Sequence, residues 1–386
     1  MNKRYFNNLA SNVCKTAFLL LFSLSVNAFD ITESMSVHGF MTLDATVTDA
    51  DKVIFPSQSG PAITLEKGEV NYDNSIIGLQ LDFAPTDSLS FFLQAIAHRN
   101  TEFVSSPKIE WAYVKYDLGH DLYIRAGEFK IPFLQGTELR NIGYTRLWAR
   151  PVIPNSGASG FNDYTGIELI KSTTIGGHNV RFQASYGEAD HQIDSIDNKE
   201  IKLLSARVER NDSWVNIAVV QADYDVYTIN LSQQLRNDAE LLLGSIEAEF
   251  LFNQVIFNAG LIGGEADVLP DQELTYLSLG YQAGNFTPYV LLSNKARTFD
   301  KSESGVTPPG PGPGPGPGPP APGTGPTQLD GKITIKSIAL GVRYDFAGNY
   351  AIKAQWEYQD TRDATKAIFE EYDANIFSIV LEGVFQ

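Results

Sequence analysis

The chain has 386 residues and carries 29 lysines and arginines against 46 aspartates and glutamates, a formal net charge of −17 at pH 7. So acidic a balance argues against nucleic-acid binding, which needs a basic footprint. One cysteine, Cys14, excludes a disulfide framework and a cysteine-based metal site.

Residues 1–28 read as a secretory signal rather than as part of the fold. Lys3, Arg4 and Lys15 form a basic leader, residues 16–26 (TAFLLLFSLSV) an apolar run, and Val26-Asn27-Ala28 a small-residue cleavage position. A membrane helix takes about 20 apolar residues, which this run does not supply. No later segment reaches the roughly 18 that would mark one. Removing the three leader cations leaves 26 basic against 46 acidic side chains, a net charge of −20, with no cysteine.

From Ser36 onward the dominant signal is alternation of period two, broken at intervals by turn chemistry. In residues 76–83, Ile77, Leu79, Leu81 and Phe83 share one face, while Gly78, Gln80 and Asp82 share the other. In residues 350–359, Tyr350, Ile352, Ala354, Trp356 and Tyr358 oppose Lys353, Gln355, Glu357 and Gln359. A sandwich also alternates, with its apolar face turned inward. Aromatic residues beside the turns favour a membrane barrel with interfacial belts: Phe83 before Pro85, Phe346 and Tyr350 around Ala347-Gly348-Asn349, Tyr281 and Phe286 around Gly284-Asn285.

The pattern predicts sixteen strands, at 34–48, 70–84, 88–99, 108–118, 121–128, 164–171, 178–187, 200–210, 213–222, 240–251, 255–264, 273–282, 286–296, 332–345, 350–359 and 373–385. Short turns at 85–87, 119–120, 172–177, 211–212, 252–254, 283–285 and 346–349 alternate with longer loops at 49–69, 100–107, 129–163, 188–199, 223–239, 265–272, 297–331 and 360–372. Short turns at one end and long loops at the other are the layout of a transmembrane antiparallel β-barrel. The expected fold is therefore all-β, one barrel over residues 29–386, wide enough to enclose water.

The third long loop, 129–163, has neither strict alternation nor a helical stripe. Prolines 132, 151 and 154 and glycines 136, 143, 157 and 160 punctuate it. A structureless run of this length inside a compact domain is functional more often than not, and the expectation is that it folds inward and narrows the lumen. It holds Lys130, Arg140, Arg146 and Arg150 against Glu138 and Asp163, a local excess of +2. The seventh loop contains a Pro/Gly run at 308–326, whose period of two is not the three of collagen. It reads as an extended external insertion. The five histidines form no catalytic or metal-binding spacing, and no phosphate-cradling glycine loop is present. No catalytic, cofactor-binding or metal-ligating residue is assigned.

Three stretches carry a resemblance. Residues 125–133 (RAGEFKIPF) look like the G-x-F-K-x-P-F element of relatives of the phosphate-selective porins. Residues 142–151 (IGYTRLWARP) are similar to a stretch of porin-like proteins, and residues 376–385 (IFSIVLEGVF) look like the closing strand that the barrel-assembly machinery recognises. The chain thus resembles the Gram-negative outer-membrane porin superfamily. It departs in ending on Gln386, with Phe385 penultimate, and in lacking a dense lumenal arginine series, so phosphate selectivity is not carried over. The resemblance implies an outer-membrane channel for passive diffusion of small hydrophilic solutes and ions, seated among lipid and lipopolysaccharide, assembled as a homotrimer. Parity and the loop nominate Arg125, Lys130, Glu138, Arg140, Arg146, Arg150, Arg181, Arg207, Arg343, Lys353 and Glu357 as lumen or constriction residues, with Asp82, Lys115 and Glu382 beside them. The loop's cations would give weak anion preference. An adhesin or receptor working through its external loops, an anion-selective channel and an outer-membrane hydrolase are the alternatives.

Overall fold

The structure, a computed structural model, describes residues 29–55, 63–98, 107–133, 139, 141–152, 161–191, 196–230, 233–267, 270–299, 331–365 and 371–385. The signal-like leader, the Pro/Gly run and the loop residues Glu138 and Arg140 lie outside the described residues.

In chain order the strands are β1 (Phe29–Thr32), β2 (Met35–Thr48), β3 (Lys52–Phe55), β4 (Ile63–Glu66), β5 (Ile76–Thr86), β6 (Leu89–His98), β7 (Lys108–Gly119), β8 (Leu122–Lys130), β9 (Phe161–Ile175) and β10 (His178–His191). They continue as β11 (Ile196–Arg210), β12 (Ser213–Asn230), β13 (Gln233–Phe252), β14 (Val255–Ala266), β15 (Asp271–Tyr281), β16 (Phe286–Phe299), β17 (Gly331–Phe346), β18 (Tyr350–Asp363) and β19 (Tyr372–Phe385). Sixteen of them, β2 and β5 to β19, pair antiparallel with their chain neighbours, and β19 pairs with β2 from Ile376↔Thr48 to Phe385↔Gly39. That last ladder closes the barrel and leaves it no edge. Closure pairs the wall's backbone strand to strand all the way round, the condition for spanning a bilayer with strands. The short β1 flanks β2, and β3 and β4 make a separate hairpin inside the first long loop.

The turns follow from residue chemistry. His120-Asp121, Asn211-Asp212 and Gly176-Gly177 each place two consecutive residues at positive φ. Two-residue hairpins require that geometry, and Gly, Asn, Asp and His tolerate it best.

The wall is apolar outside and mixed inside. Leu79, Leu204 and Phe252 are 57%, 67% and 66% exposed on the outer face, while Lys353 and Glu382 on the inner face have no exposed surface. Outward rings near the short-turn end step from strand to strand: Phe286 to Tyr344 at 4.5 Å, Tyr344 to Phe346 at 6.0 Å, Phe346 to Tyr350 at 5.8 Å and Tyr350 to Phe385 at 6.3 Å. This is the aromatic belt of a membrane interface.

Two expected loops are shorter than the sequence suggests. The predicted loop at 223–239 is mostly ladder, since β12 and β13 stay paired out to Asn230↔Gln233, and the one at 188–199 contracts to the connection between His191 and Ile196. Apolar alternation fades where the wall leaves lipid, but the backbone hydrogen bonds do not depend on it. The second predicted strand starts later, at Ile76 rather than 70.

Candidate functional site

The described parts of the loop between β8 and β9 lie against the inner wall. β8 runs out at Lys130, two residues before Pro132, whose missing amide cannot extend a ladder. Phe129, Ile131 and Phe133 then pack into an apolar cluster on the inner face of β11 to β15 with Leu203, Val220, Leu241 and Ile262. Ser245 of β13 donates its hydroxyl to the Phe133 carbonyl at 2.7 Å. The second limb contacts the adjoining wall, β15 to β17, and also β7. Leu147 and Trp148 pack with Tyr276, Tyr289, Leu291 and Ala339, and Asn141 donates to Glu110 of β7 at 3.1 Å.

Between these limbs a short 3-10 turn spans Gly143–Thr145, held by Thr145 Oγ1 donating to the Ile142 carbonyl at 2.8 Å. Loop backbone here has no ladder, so its polar groups need side-chain partners. The wall supplies them. Lys353 Nζ donates to the carbonyls of Gly143 (2.9 Å) and Trp148 (3.1 Å), and Arg343 Nη1 donates to those of Tyr144 and Arg146, both at 2.7 Å. The amide of Ala149 donates to Gln355 Oε1 at 3.1 Å. Gly143 is seated so close to Glu382 and Thr42 that a Cβ there would collide with the carboxylate.

The loop's described cations, Lys130, Arg146 and Arg150, are held in ion pairs. Arg150 pairs with Glu357 and donates to the Ser378 hydroxyl. Arg146 Nη2 lies 4.0 Å from Glu382, which meets Lys353 at 2.5 Å. Burial pushes the Arg146 guanidinium below its ordinary range, and the Glu382 carboxylate opposes that shift. Lys130 pairs with Glu110 and Asp163, which Lys108 also approaches at 3.8 and 3.1 Å.

Of the residues nominated from sequence, Arg146, Arg150, Arg343, Lys353 and Glu357 come together in this cluster. Lys130 belongs to the separate one with Glu110 and Asp163. Arg125 pairs with Glu168 and faces the rings of Tyr113 and Phe129 at 5.2 and 5.3 Å. Arg181 and Arg207 face each other across β10 and β11. Arg181 donates to Gln183 at 3.3 Å; Arg207 pairs with Glu209 at 3.2 Å and lies 4.6 Å from the Trp214 ring centre. Of the accompanying residues, Asp82 meets His38 at 3.3 Å and Lys115 lies 4.4 Å from the Tyr123 ring centre.

Sequence reasoning missed Glu110, Glu168, Gln355 and Ser378. Gln355 and Ser378 share the inward parity of their strands and could have been found by it. Glu110 could not, because a register irregularity between β6 and β7 leaves Ile109 exposed to the outside and its neighbour Glu110 buried.

No protein-family model matches the chain, and no curated protein sequence matches it. Solved structures do. An anion-selective porin from Comamonas acidovorans superposes with a TM-score of 0.58 at 11% identity, covering 91% of this chain and 99% of that one. The outer-membrane channel DcaP of Acinetobacter baumannii gives 0.56 at 12% identity, covering 93% and 100%. OmpF of Salmonella typhi, in complex with daunomycin, gives 0.52 at 13% identity, covering 90% and 97%. The fold is that of the outer-membrane porin barrels.

Proposed function

We propose that the chain is an outer-membrane porin: a non-enzymatic, water-filled channel for passive diffusion of small hydrophilic solutes and ions, working as a homotrimer. The observation that carries this reading is the loop inside the barrel. Its backbone carbonyls and cations are fastened to charged side chains of the inner wall, so a fixed constriction stands in the lumen. A fixed constriction sorts solutes by size, and charged groups around it compensate their partial dehydration. In this reading Lys130, Arg146 and Arg150 are struts. Each is spent on a wall carboxylate, which replaces the expectation that they face the solute.

Single-channel recording in planar bilayers tests this. Stepwise ohmic conductance in multiples of three per insertion event is the expected result. Absence of conductance from folded, bilayer-inserted protein would sink it and favour a receptor whose lumen is closed by the packed loop. The Lys130→Gln/Arg150→Gln variant is expected to leave the sign of the reversal potential in a salt gradient unchanged while increasing current noise. A reversal of sign would return these cations to the solute path.

A further inference from the structure

The first long loop also enters the barrel. Its hairpin pairs β3 with β4 from Lys52↔Glu66 to Phe55↔Ile63, and Val53 stands directly opposite Leu65. Both side chains are buried, at 0% and 1% exposure, in a cluster with Ala374 and Ile376 of β19, which Ile63 and Tyr372 join. Ala374 and Ile376 share the parity of Ser378 and Glu382, the residues of β19 that meet the arginines of the β8–β9 loop. Residues two apart on a strand face the same way, so this parity is the inner face and the hairpin lies on the lumenal side of the wall. Apolar side chains facing a water-filled bore need cover, and Val53 and Leu65 supply it.

Both roots of the hairpin are tied to the rim. On the way in, Asp49 accepts from the backbone amide and the side-chain amide of Asn375, each at 2.8 Å. On the way out, the Gly68 amide donates to the Thr48 carbonyl at 2.9 Å, and Asn71 exchanges two backbone hydrogen bonds with Thr46 at 2.8 and 2.9 Å. Stacked sheets pack about 10 Å apart, so the hairpin backbone stands about that far in from β19. Sixteen strands spaced by about 4.8 Å and tilted by roughly 40° enclose a backbone ring about 30 Å across. The hairpin thus takes about a third of the bore before its own side chains are counted. On its other face Thr64 and Glu66 are exposed, turned away from β19. Ile376 pairs with Glu357, the anchor of Arg150, and Ser378 lies about 7 Å farther toward the short-turn end of β19. The hairpin and the β8–β9 loop are therefore stacked in series against one strand.

We propose that the β3–β4 hairpin is a second, fixed constriction of the channel, standing on the long-loop side of the β8–β9 loop and sorting solutes before they reach it. A solute entering from that side passes Thr64 and Glu66 first. The proposal rests on the channel reading for the hairpin's role, whereas its seat inside the mouth is tested without conductance.

Cys14 is the chain's only cysteine, so a chain produced from residue 29 carries engineered thiols alone. Asp51 and Lys67, whose side chains meet at 3.3 Å, bracket the hairpin, so a short glycine bridge can replace residues 52–66. Ile376→Cys is expected to resist a maleimide in the folded protein and to react once the hairpin is replaced, heat-modifiable gel mobility verifying that each form is folded. Labelling in both forms overturns the seat. In bilayers, replacing the hairpin is expected to raise single-channel conductance and to admit larger polyethylene glycols from the long-loop side. Thr64→Cys changes an exposed side chain and keeps the hairpin: a methanethiosulfonate reagent added on that side is expected to cut its current. Conductance and polymer cut-off unchanged by removing the hairpin, or a Thr64→Cys current that the reagent leaves unaltered, overturns the constriction. Ile376→Cys labelled only without the hairpin, with no conductance from either form, leaves the hairpin in the mouth and overturns the channel.

Discussion

A lysine with no exposed surface needs a full set of acceptors, and Lys353 has three: the carbonyls of Gly143 and Trp148 and the carboxylate of Glu382. Its ammonium is thereby tied both to the wall and to the loop. Glu382→Gln would leave that charge buried with its counter-ion gone, a cost of about 3–5 kcal/mol for breaking a buried pair. Lys353→Met/Glu382→Leu removes both charges and is expected to cost less than either single change. Urea unfolding in lipid vesicles measures the difference; equal losses in single and double variants would show that the pair is not the fastening. The sequence reveals Lys353 as inward by parity, yet it cannot show what Lys353 holds. Glu382 lies on the neighbouring strand β19, but Gly143 and Trp148 lie 210 and 205 residues from it along the chain, and only the inward path of the loop brings them to it.

At the scale of the strands, one arrangement recurs on the inner face. Tyr289 of β16 lies across Gly341 of β17, so its hydroxyl reaches Gln355 of β18 at 2.9 Å. Tyr276 of β15 likewise lies across Gly260 of β14 and reaches Glu247 of β13. In each case a glycine in the intervening strand opens the gap that lets a ring span it. Gly341→Ala is expected to push the Tyr289 ring away and break its bond to Gln355, which also receives the Ala149 amide of the loop. Faster trypsin cleavage between residues 139 and 152 in that variant is the measurement, with Gly263→Ala, where a Cβ meets nothing, as the control. Equal cleavage rates would detach the tyrosine from the loop. Alternation made the strands legible because lipid outside and side-chain packing inside sort residues by parity. It is interrupted on β12 and β13, where Asp223, Asp225, Asn237 and Asp238 belong to the continuing ladder.

For the whole molecule, sixteen strands closed by the β19–β2 ladder leave no cooperative unit smaller than the ring. Circular dichroism should show antiparallel sheet, retained in detergent on warming, with gel mobility shifting only after boiling. A mostly helical spectrum would contradict the fold. Deleting residues 308–326 should leave conductance unchanged, since a Pro/Gly run cannot bury enough apolar surface to offset the entropy of ordering it; a closed or unassembled channel would give that run a role the composition does not suggest. The fold was legible because its signal repeats strand after strand. The site was legible only as a location, since the loop's conformation is dictated by side chains scattered over β2, β7 and β11 to β19.

The struts also impose an order in time. Arg146 and Arg150 leave the ribosome roughly two hundred residues before Glu357, Ser378 and Glu382, which belong to the last two strands. The loop's limb from Gly143 to Arg150 cannot be fully fastened until β18 and β19 are in place, and β19 is the strand that seals the ring onto β2. Fastening is therefore a late event of biogenesis, and a chain stalled before its final strand would present an unlatched loop. Protease access to residues 139–152 in a chain truncated after residue 371 would report this directly, full protection there being the outcome that contradicts it.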